Sequence, residues 1–275
     1  ENQKVKIDVL PGLVSFLCDR GVKGLFISGT TGEGILTDLA ERQRLFESVV
    51  PLLKERKRVS MLHVGTNNLR DTLALMETAA ELSADAVALL PGYFYGLSDD
   101  AVFDYFKAAA GTFPELPIIG YDIPHLAVNG FSPPLVKRMC AEISNFAGLK
   151  SSCTDALKVR ALIEAIDPNR FVLTGNEKMA SGLLTLGATG IITGLSTAVP
   201  EPFVSLCNAL ATGDLVTARS NQDQINKILD MTPPGKRIGF IKQILVERGH
   251  DVGQPIPPRP AASGPFWPKI EAILA

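Results

Sequence analysis

Over the first 200 residues, short apolar runs alternate with longer amphipathic stretches. Gly24–Ser28, Ser60–Val64, Asp85–Leu90, Pro117–Tyr121, Phe146–Lys150, Phe171–Thr174 and Thr189–Thr193 are apolar at successive positions. A strand with both faces apolar has both faces covered, which predicts a parallel sheet flanked by helices. Between these runs, apolar residues recur at helical spacing over about 9–20, 37–55, 69–82, 98–112, 133–143, 155–166 and 177–186. Thr37-Asp38 reads as the N-cap of the second helix. Pro91-Gly92 and Pro133-Pro134 punctuate the junctions.

This alternation predicts one continuous α/β domain. About seven strands are visible, whereas a closed (β/α)8 TIM barrel has eight. The chain opens on a helical pattern, so the first barrel strand is expected upstream of Glu1. An open doubly wound sheet is the alternative, because it tolerates other strand numbers. After residue 200 the alternation stops, and helical patterns follow at 201–211, 214–231 and 235–248. The proline-rich segment 252–260 reads as a stiff connector to a last helix at 265–274. The expected organisation is a barrel over 1–200 with a C-terminal helical extension over 201–275 packed on it.

Composition narrows the function classes. The chain has 275 residues, 46% hydrophobic and 20% charged, which excludes a disordered or coiled-coil protein. Lys+Arg number 27 against 29 Asp+Glu, a net charge of -2. That balance gives no electrostatic case for nucleic acid. No apolar run approaches the roughly 18 residues of a membrane span, so no membrane partner is expected. Cys18, Cys140, Cys153 and Cys207 are scattered. They read as reduced thiols, and the expected location is cytoplasmic. His63, His125 and His250 lack metal-ligand spacing, so no metal is expected.

Several apparent motifs fail on inspection. Gly29-Thr-Thr-Gly-Glu-Gly34 has the spacing G-x-x-G-x-G, with no following Lys, and fits neither a dinucleotide fingerprint nor a P-loop. Gly194-Leu-Ser196-Thr-Ala198 fails the nucleophile elbow at its last position. Three features fall instead at predicted strand C-termini, where barrel enzymes place their chemistry. Gly29-Thr30-Thr31-Gly32-Glu33 offers two hydroxyls and several backbone N–H groups in a tight turn, suited to a small carboxylate. A plain strand-to-helix turn has the same composition. Tyr121, in Tyr121-Asp-Ile-Pro124, can move a proton at a strand end or simply fill the core. Lys150 closes an apolar strand, where it either snorkels or reacts. As a nucleophile its pKa must fall from about 10.4 towards 7–8, worth roughly 4 kcal/mol.

Taken in order, G-T-T-G-E, Y-D-x-P and G-L-K-S-S resemble the dihydrodipicolinate synthase / N-acetylneuraminate lyase superfamily. The resemblance runs from Glu1-Asn-Gln-Lys-Val to the helical C-terminus and includes Gly187-Ala-Thr-Gly-Ile-Ile192. It implies class I, Schiff-base chemistry on pyruvate or another 2-oxo acid, with no metal and no cofactor beyond the covalent link to Lys150. By that resemblance Lys150 attacks the keto carbon. Thr30 and Thr31, with Gly29, hold the carboxylate, and Tyr121 relays protons with Thr30. Gly175 and Ile192 line the site. Asn176 and Glu177, in a segment similar to the lyases' D-E-x-x-A-S-G-L-L, hydrogen-bond substrate hydroxyls. For these two the alternative is a helix N-cap with an acidic first turn. The family is mostly tetrameric, so a homo-oligomer (tetramer or dimer) is implied, contacted through the helices after 200 and the Tyr93–Tyr95 loop.

The departures bear on the substrate. Synthases carry an Arg where this chain has Leu126, after His125. Leu cannot grip a carboxylate as a guanidinium does, and sialic acid lyases and 2-keto-3-deoxy sugar acid aldolases also have an apolar residue there. Phe94 takes the place of a tyrosine that reaches a neighbouring subunit's relay, leaving Tyr93 or Tyr95 to substitute. Ser151 stands where the family prefers Asp, and Asp122 where it has Asn. The resemblance therefore implies an aldolase that cleaves a 2-keto-3-deoxy sugar acid to pyruvate and an aldehyde. The alternatives are N-acetylneuraminate lyase or dihydrodipicolinate synthase-like activity, a 2-keto-3-deoxy acid dehydratase, and a non-catalytic binding relative.

Overall fold

The computed structural model describes residues 4–275. The first residues of the resemblance, Glu1-Asn2-Gln3, lie outside the described residues. Seven strands form one parallel sheet: β1 (Gly24–Ile27), β2 (Val59–His63), β3 (Ala86–Leu89), β4 (Ile118–Asp122), β5 (Phe146–Ser151), β6 (Phe171–Thr174) and β7 (Gly190–Ile191). Their spatial order is their chain order, β1 to β7. A doubly wound sheet reverses direction at a switch point. An unreversed order in which helices separate the strands is TIM-barrel-like and rules that alternative out.

The helices of this part are α1 (Leu10–Asp19), α2 (Leu39–Glu55), α3 (Leu69–Glu81), α4 (Asp99–Thr112), α5 (Pro124–Ala127), α6 (Pro133–Glu142), α7 (Ala156–Ala165) and α8 (Ala180–Thr185). Their boundaries follow local chemistry. Asp38, the second residue of the expected Thr37-Asp38 cap, accepts the Glu41 N–H at the start of α2. Ser98, Ser132 and Asp155 cap α4, α6 and α7 in the same way. The one-turn helix α5 was hidden from sequence reasoning, because four residues opening on a proline read equally well as a turn. β7 is only two residues long, shorter than its apolar run suggests.

Two apolar layers position the site. Between sheet and helices lies the main cluster, built on residues such as Phe46, Leu62, Leu75, Phe106 and Leu149. On the other side of the sheet a smaller cluster holds Met61, Ala86, Ala88, Ile119, Tyr121 and Ile123, with Phe26, Leu173 and Ile192 packed against it. Alternate residues of each strand face alternate layers. This is why Tyr121 looks inward while its neighbour Asp122 looks outward.

The remaining helices are α9 (Glu201–Ala211), α10 (Leu215–Asp230), α11 (Arg237–Glu247) and α12 (Trp267–Leu274). They share a third cluster that includes Phe203, Ile225, Phe240 and Ile270. Arg248, with its side chain buried, ties the end of α11 to the start of α9, donating to the Ala198 carbonyl at 2.6 Å and pairing with Glu201. Its guanidinium lies 4.7 Å from the ring centre of Phe16 on α1. No helix among the described residues is long and apolar enough to cross a membrane.

Candidate active site

Lys150 sits near the end of β5, directly paired with Tyr121 on β4. It is 5% exposed. Its Nζ donates to Ser152 Oγ at 2.7 Å and lies 4.0 Å from the centre of the Tyr121 ring. The Phe26 ring centre is 5.4 Å away. No carboxylate pairs with the amine within ion-pair distance among the described residues. Burial pushes its pKa below the ordinary lysine value, while Tyr121, Glu177 and Asp122 pull it back up. A larger fraction is therefore the neutral amine, the form that attacks carbonyl carbon.

Tyr121 is buried, and its hydroxyl is hydrogen-bonded to Thr30 Oγ1 at 2.8 Å. Phe26 packs on its ring at 5.2 Å in a T-shaped contact. Thr30 lies in a turn closed by Glu33 N–H to the Thr30 carbonyl and Gly34 N–H to the Gly29 carbonyl. The turn requires close approach. A Cβ at Gly34 would fall 1.8 Å from the Ser28 carbonyl oxygen. Thr31 lies against Gly194, where a Cβ would come within 2.2 Å of the Thr31 hydroxyl. Gly175 closes the opposite side: a Cβ there would lie 3.1 Å from Lys150 Nζ and 2.2 Å from Ser152 Oγ. Lys150, Tyr121, Thr30, Thr31, Gly29 and Gly175 thus gather at one end of the sheet.

The other expected residues are placed differently. Ile192 follows β7 and packs against the inner cluster, its N–H on the Thr174 carbonyl. Asn176 donates to the Cys153 carbonyl at 3.4 Å. Both Glu177 carboxylate oxygens are committed to protein: one accepts the Leu195 N–H at 2.9 Å, the other pairs with Arg237. Tyr93 packs towards the inner cluster, whereas Tyr95 is 69% exposed and lies on Phe94. Leu126, on α5, is exposed at the rim.

Asp122 and Ser151, two departures from the family pattern, bond to each other. They are paired across β4 and β5, and Ser151 donates to Asp122 Oδ2 at 2.6 Å. Phe131 N–H donates to the other oxygen at 3.3 Å. Burial pushes this carboxyl above its ordinary value, and those two hydrogen bonds oppose the shift. A hydroxyl opposite a carboxylate satisfies the pair with one charge.

Sequence reasoning missed Ser152, Phe26, Gly194 and His63. Ser152 had a signal: two residues after Lys150 on an extended chain, it shares the lysine's face. Glu33 belonged to the quoted turn without a role. Its Oε2 pairs with Lys242 at 2.7 Å and its Oε1 accepts the Ile256 N–H at 2.8 Å. The turn carrying Thr30 is thereby tied to α11 and to the proline-rich connector.

Among the described residues no group of three His, Cys, Asp or Glu side chains is placed to hold a metal ion. The chemistry is that of an amine, a phenol and hydroxyls. The model of the Dihydrodipicolinate synthetase family matches residues 1–274. The chain belongs to this family. N-acetylneuraminate lyase of Rattus norvegicus is 30% identical over 280 residues, covering 100% of this chain and 88% of the relative. 4-Hydroxy-tetrahydrodipicolinate synthase of Fervidobacterium nodosum is 29% identical over 208 residues, covering 76% and 70%. Among solved structures, a prophage protein of the dihydrodipicolinic acid synthase family from E. coli K12, in complex with pyruvate, superposes with a TM-score of 0.90. It is 25% identical, covering 98% of this chain and 92% of the other. The family thus joins relatives named as lyases with relatives named as synthases.

Proposed function

We propose that the protein is a class I, Schiff-base-forming lyase that cleaves a 2-keto-3-deoxy sugar acid to pyruvate and an aldehyde. The observation that carries this reading is the buried Lys150 amine beside a Tyr121 hydroxyl that is bonded to Thr30. Family membership and the pyruvate-bound relative support it.

In this reading the neutral Lys150 amine adds to the substrate C2 carbonyl, whose carboxylate is held by Thr30, Thr31 and the backbone at Gly29. Tyr121 passes protons through the carbinolamine, water leaves, and an iminium forms. The C4 hydroxyl then gives its proton to Tyr121, and the C3–C4 bond breaks. Its electron pair moves into the iminium, giving an enamine and a free aldehyde. Protonation of the enamine at C3 and addition of water release pyruvate and restore the amine. Gly175 keeps the path to Nζ open, and Ile192, Tyr93 and Asn176 line the aldehyde side. Glu177 acts there through Arg237 and the Leu195 turn, because its oxygens are already engaged.

N-acetylneuraminate lyase activity is the second reading. The match to the rat lyase over the whole of this chain and the apolar Leu126 favour it over synthase activity. The same reading takes 1–200 as the barrel part, seven of whose strands are described, and 201–275 as its helical extension. It takes the assembly as a cytoplasmic homo-oligomer, dimer or tetramer, with Tyr95 and Phe94 at a contact between copies.

Borohydride reduction in the presence of pyruvate, read by intact mass and peptide mapping, tests the mechanism. A reduced pyruvyl adduct on Lys150 is expected. No adduct with pyruvate, 2-oxobutyrate or a keto-deoxy acid overturns the lyase reading in favour of a binding relative.

A further inference from the structure

One buried ring has no part in the chemistry above. His63 ends β2 and is 1% exposed. Its partner on β3 is Ala88. Because that side chain is small, the imidazole reaches past it to Tyr121 on β4, and the two rings meet at 5.4 Å and 87°. The other side of the ring faces β1, where Nδ1 lies 3.0 Å from the Ser28 carbonyl oxygen. A carbonyl only accepts, so Nδ1 carries the proton. Nε2 has no hydrogen-bond partner among the described residues. Burial, with the Arg42 guanidinium nearby, holds the ring neutral, its pKa down to about 3 despite the Ser28 bond.

Ser28 is the residue on which the carboxylate turn is hinged. Its φ of 61° is left-handed, a conformation that a residue with a side chain adopts only where its surroundings hold it. Here they do. His63 holds its carbonyl, and Arg42 Nε donates to its hydroxyl at 3.2 Å. The same buried guanidinium donates to the His63 carbonyl, and the glycine at 34 leaves the Ser28 carbonyl room. Two residues further on, Thr30 meets Tyr121. His63 therefore touches both arms of the Thr30–Tyr121 pair: the root of one and the ring of the other.

We propose that His63 is a positioning residue for the proton relay. Its Nδ1–H fixes the Ser28 carbonyl, and so the placing of Thr30, while its ring fixes the plane of Tyr121. It braces the relay without exchanging a proton itself. This rests on the reading of Tyr121 and Thr30 as the relay of a Schiff-base lyase.

The test uses pyruvate alone, in deuterium oxide, with the exchange of its methyl protons followed by NMR. Exchange requires the iminium and then proton removal to the enamine, so it reads the relay without an aldehyde partner. His63→Phe keeps a ring against Tyr121 and loses the donor. His63→Asn keeps an N–H close to the Nδ1 position. His63→Gln moves its N–H out to the Nε2 position. With the wild type exchanging, the exchange rate at saturating pyruvate is expected to fall about tenfold in His63→Phe and His63→Gln. The pyruvate KM should stay within about twofold, and His63→Asn should recover most of the rate. A structural role alone predicts instead that the three variants lose rate in proportion to lost thermal stability, and that result overturns the proposal. Wild-type rates in His63→Phe, or an Asn variant as slow as Gln, also overturn it. Should His63→Phe fail to fold, the Asn–Gln pair decides by itself. If the wild type neither exchanges nor traps pyruvate, the lyase reading falls first and the relay with it. If it exchanges and the variants match it, only the role of His63 falls.

Discussion

The ends of β4 and β5 and the rim above them satisfy their polar groups in different ways. At the strand ends Lys150, Tyr121, Asp122 and Ser151 are buried, and each has a protein partner. At the rim, Phe94 and Tyr95 are 77% and 69% exposed, and Leu126 is 58% exposed. The rim is nonetheless held: Asn129 accepts the Leu97 N–H at 2.8 Å and donates to the Tyr95 carbonyl at 2.8 Å. Its backbone is fixed while its side chains remain free to meet something else. Buried polar groups tolerate little change, because each lost partner leaves an unsatisfied atom. Exposed apolar ones can vary at small cost. In the proposed lyase reading, the strand ends fix which atoms react, and the rim is where the choice of aldehyde or of a neighbouring copy is made.

The sharpest way to break this contrast is Lys150→Ala, which removes the amine while sparing the rim. We expect complete loss of the reduced pyruvyl adduct in intact-mass measurements, and an adduct elsewhere on the chain would end the assignment. Tyr121→Phe comes next. It leaves the ring beside Nζ and removes the hydroxyl bonded to Thr30, so turnover should drop by roughly 10²–10⁴, measured as pyruvate release from a cleavable keto-deoxy acid. Lys242→Met probes whether the strand-end turn depends on the extension. It leaves the buried Glu33 carboxylate without its cation and should cost about 3 kcal/mol, read as a shift in the urea midpoint.

Adduct formation should also follow pH in a definite direction. The Lys150 pKa lies below its ordinary value of 10.5. The reactive neutral amine therefore grows as pH rises and saturates earlier than for a free lysine. Trapping rates that climb about tenfold per pH unit and level off below that value are expected. A climb that continues unbroken through 10.5 contradicts a desolvated amine. The smallest effect is expected for Tyr95→Ala, with adduct formation unchanged and stability altered by no more than about 0.5 kcal/mol in the isolated chain. A marked loss of adduct would move Tyr95 from the rim into the chemistry.

Much of the framework was legible along the chain because it depends on local order. The apolar runs at 24–28, 60–64, 85–90, 117–121, 146–150 and 171–174 each coincide with a strand, displaced by at most a residue or so at the ends. The helices after 200 also fall where the periodicity placed them. The short α5 escaped, since it is not long enough to display a period, and the run at 189–193 holds a strand of only two residues, β7. Of the candidate site, Lys150, Tyr121 and the Thr30 turn stood out through their positions at strand ends. His63 did not, because a histidine inside a strand carries no sign of which carbonyl its ring will meet. Glu33 was visible only as part of a turn, and its partner Lys242 lies more than two hundred residues away.

The alternation of strands and helices, the change to helices alone after residue 200, and the identity of the groups available for chemistry are all written in residue order. Periodicity, capping residues and punctuation by Pro and Gly act over a few residues, and so they survive being read along a line. Tertiary structure alone decided that the Tyr121 hydroxyl meets Thr30, that Asp122 meets Ser151, and that both Glu177 oxygens are spent on protein. The Asp122–Ser151 contact follows from strand register, and the others from the approach of turns and helices far apart in the chain. The lysine's lowered pKa has the same origin, since desolvation exists only once the sheet and its neighbours have closed around the amine.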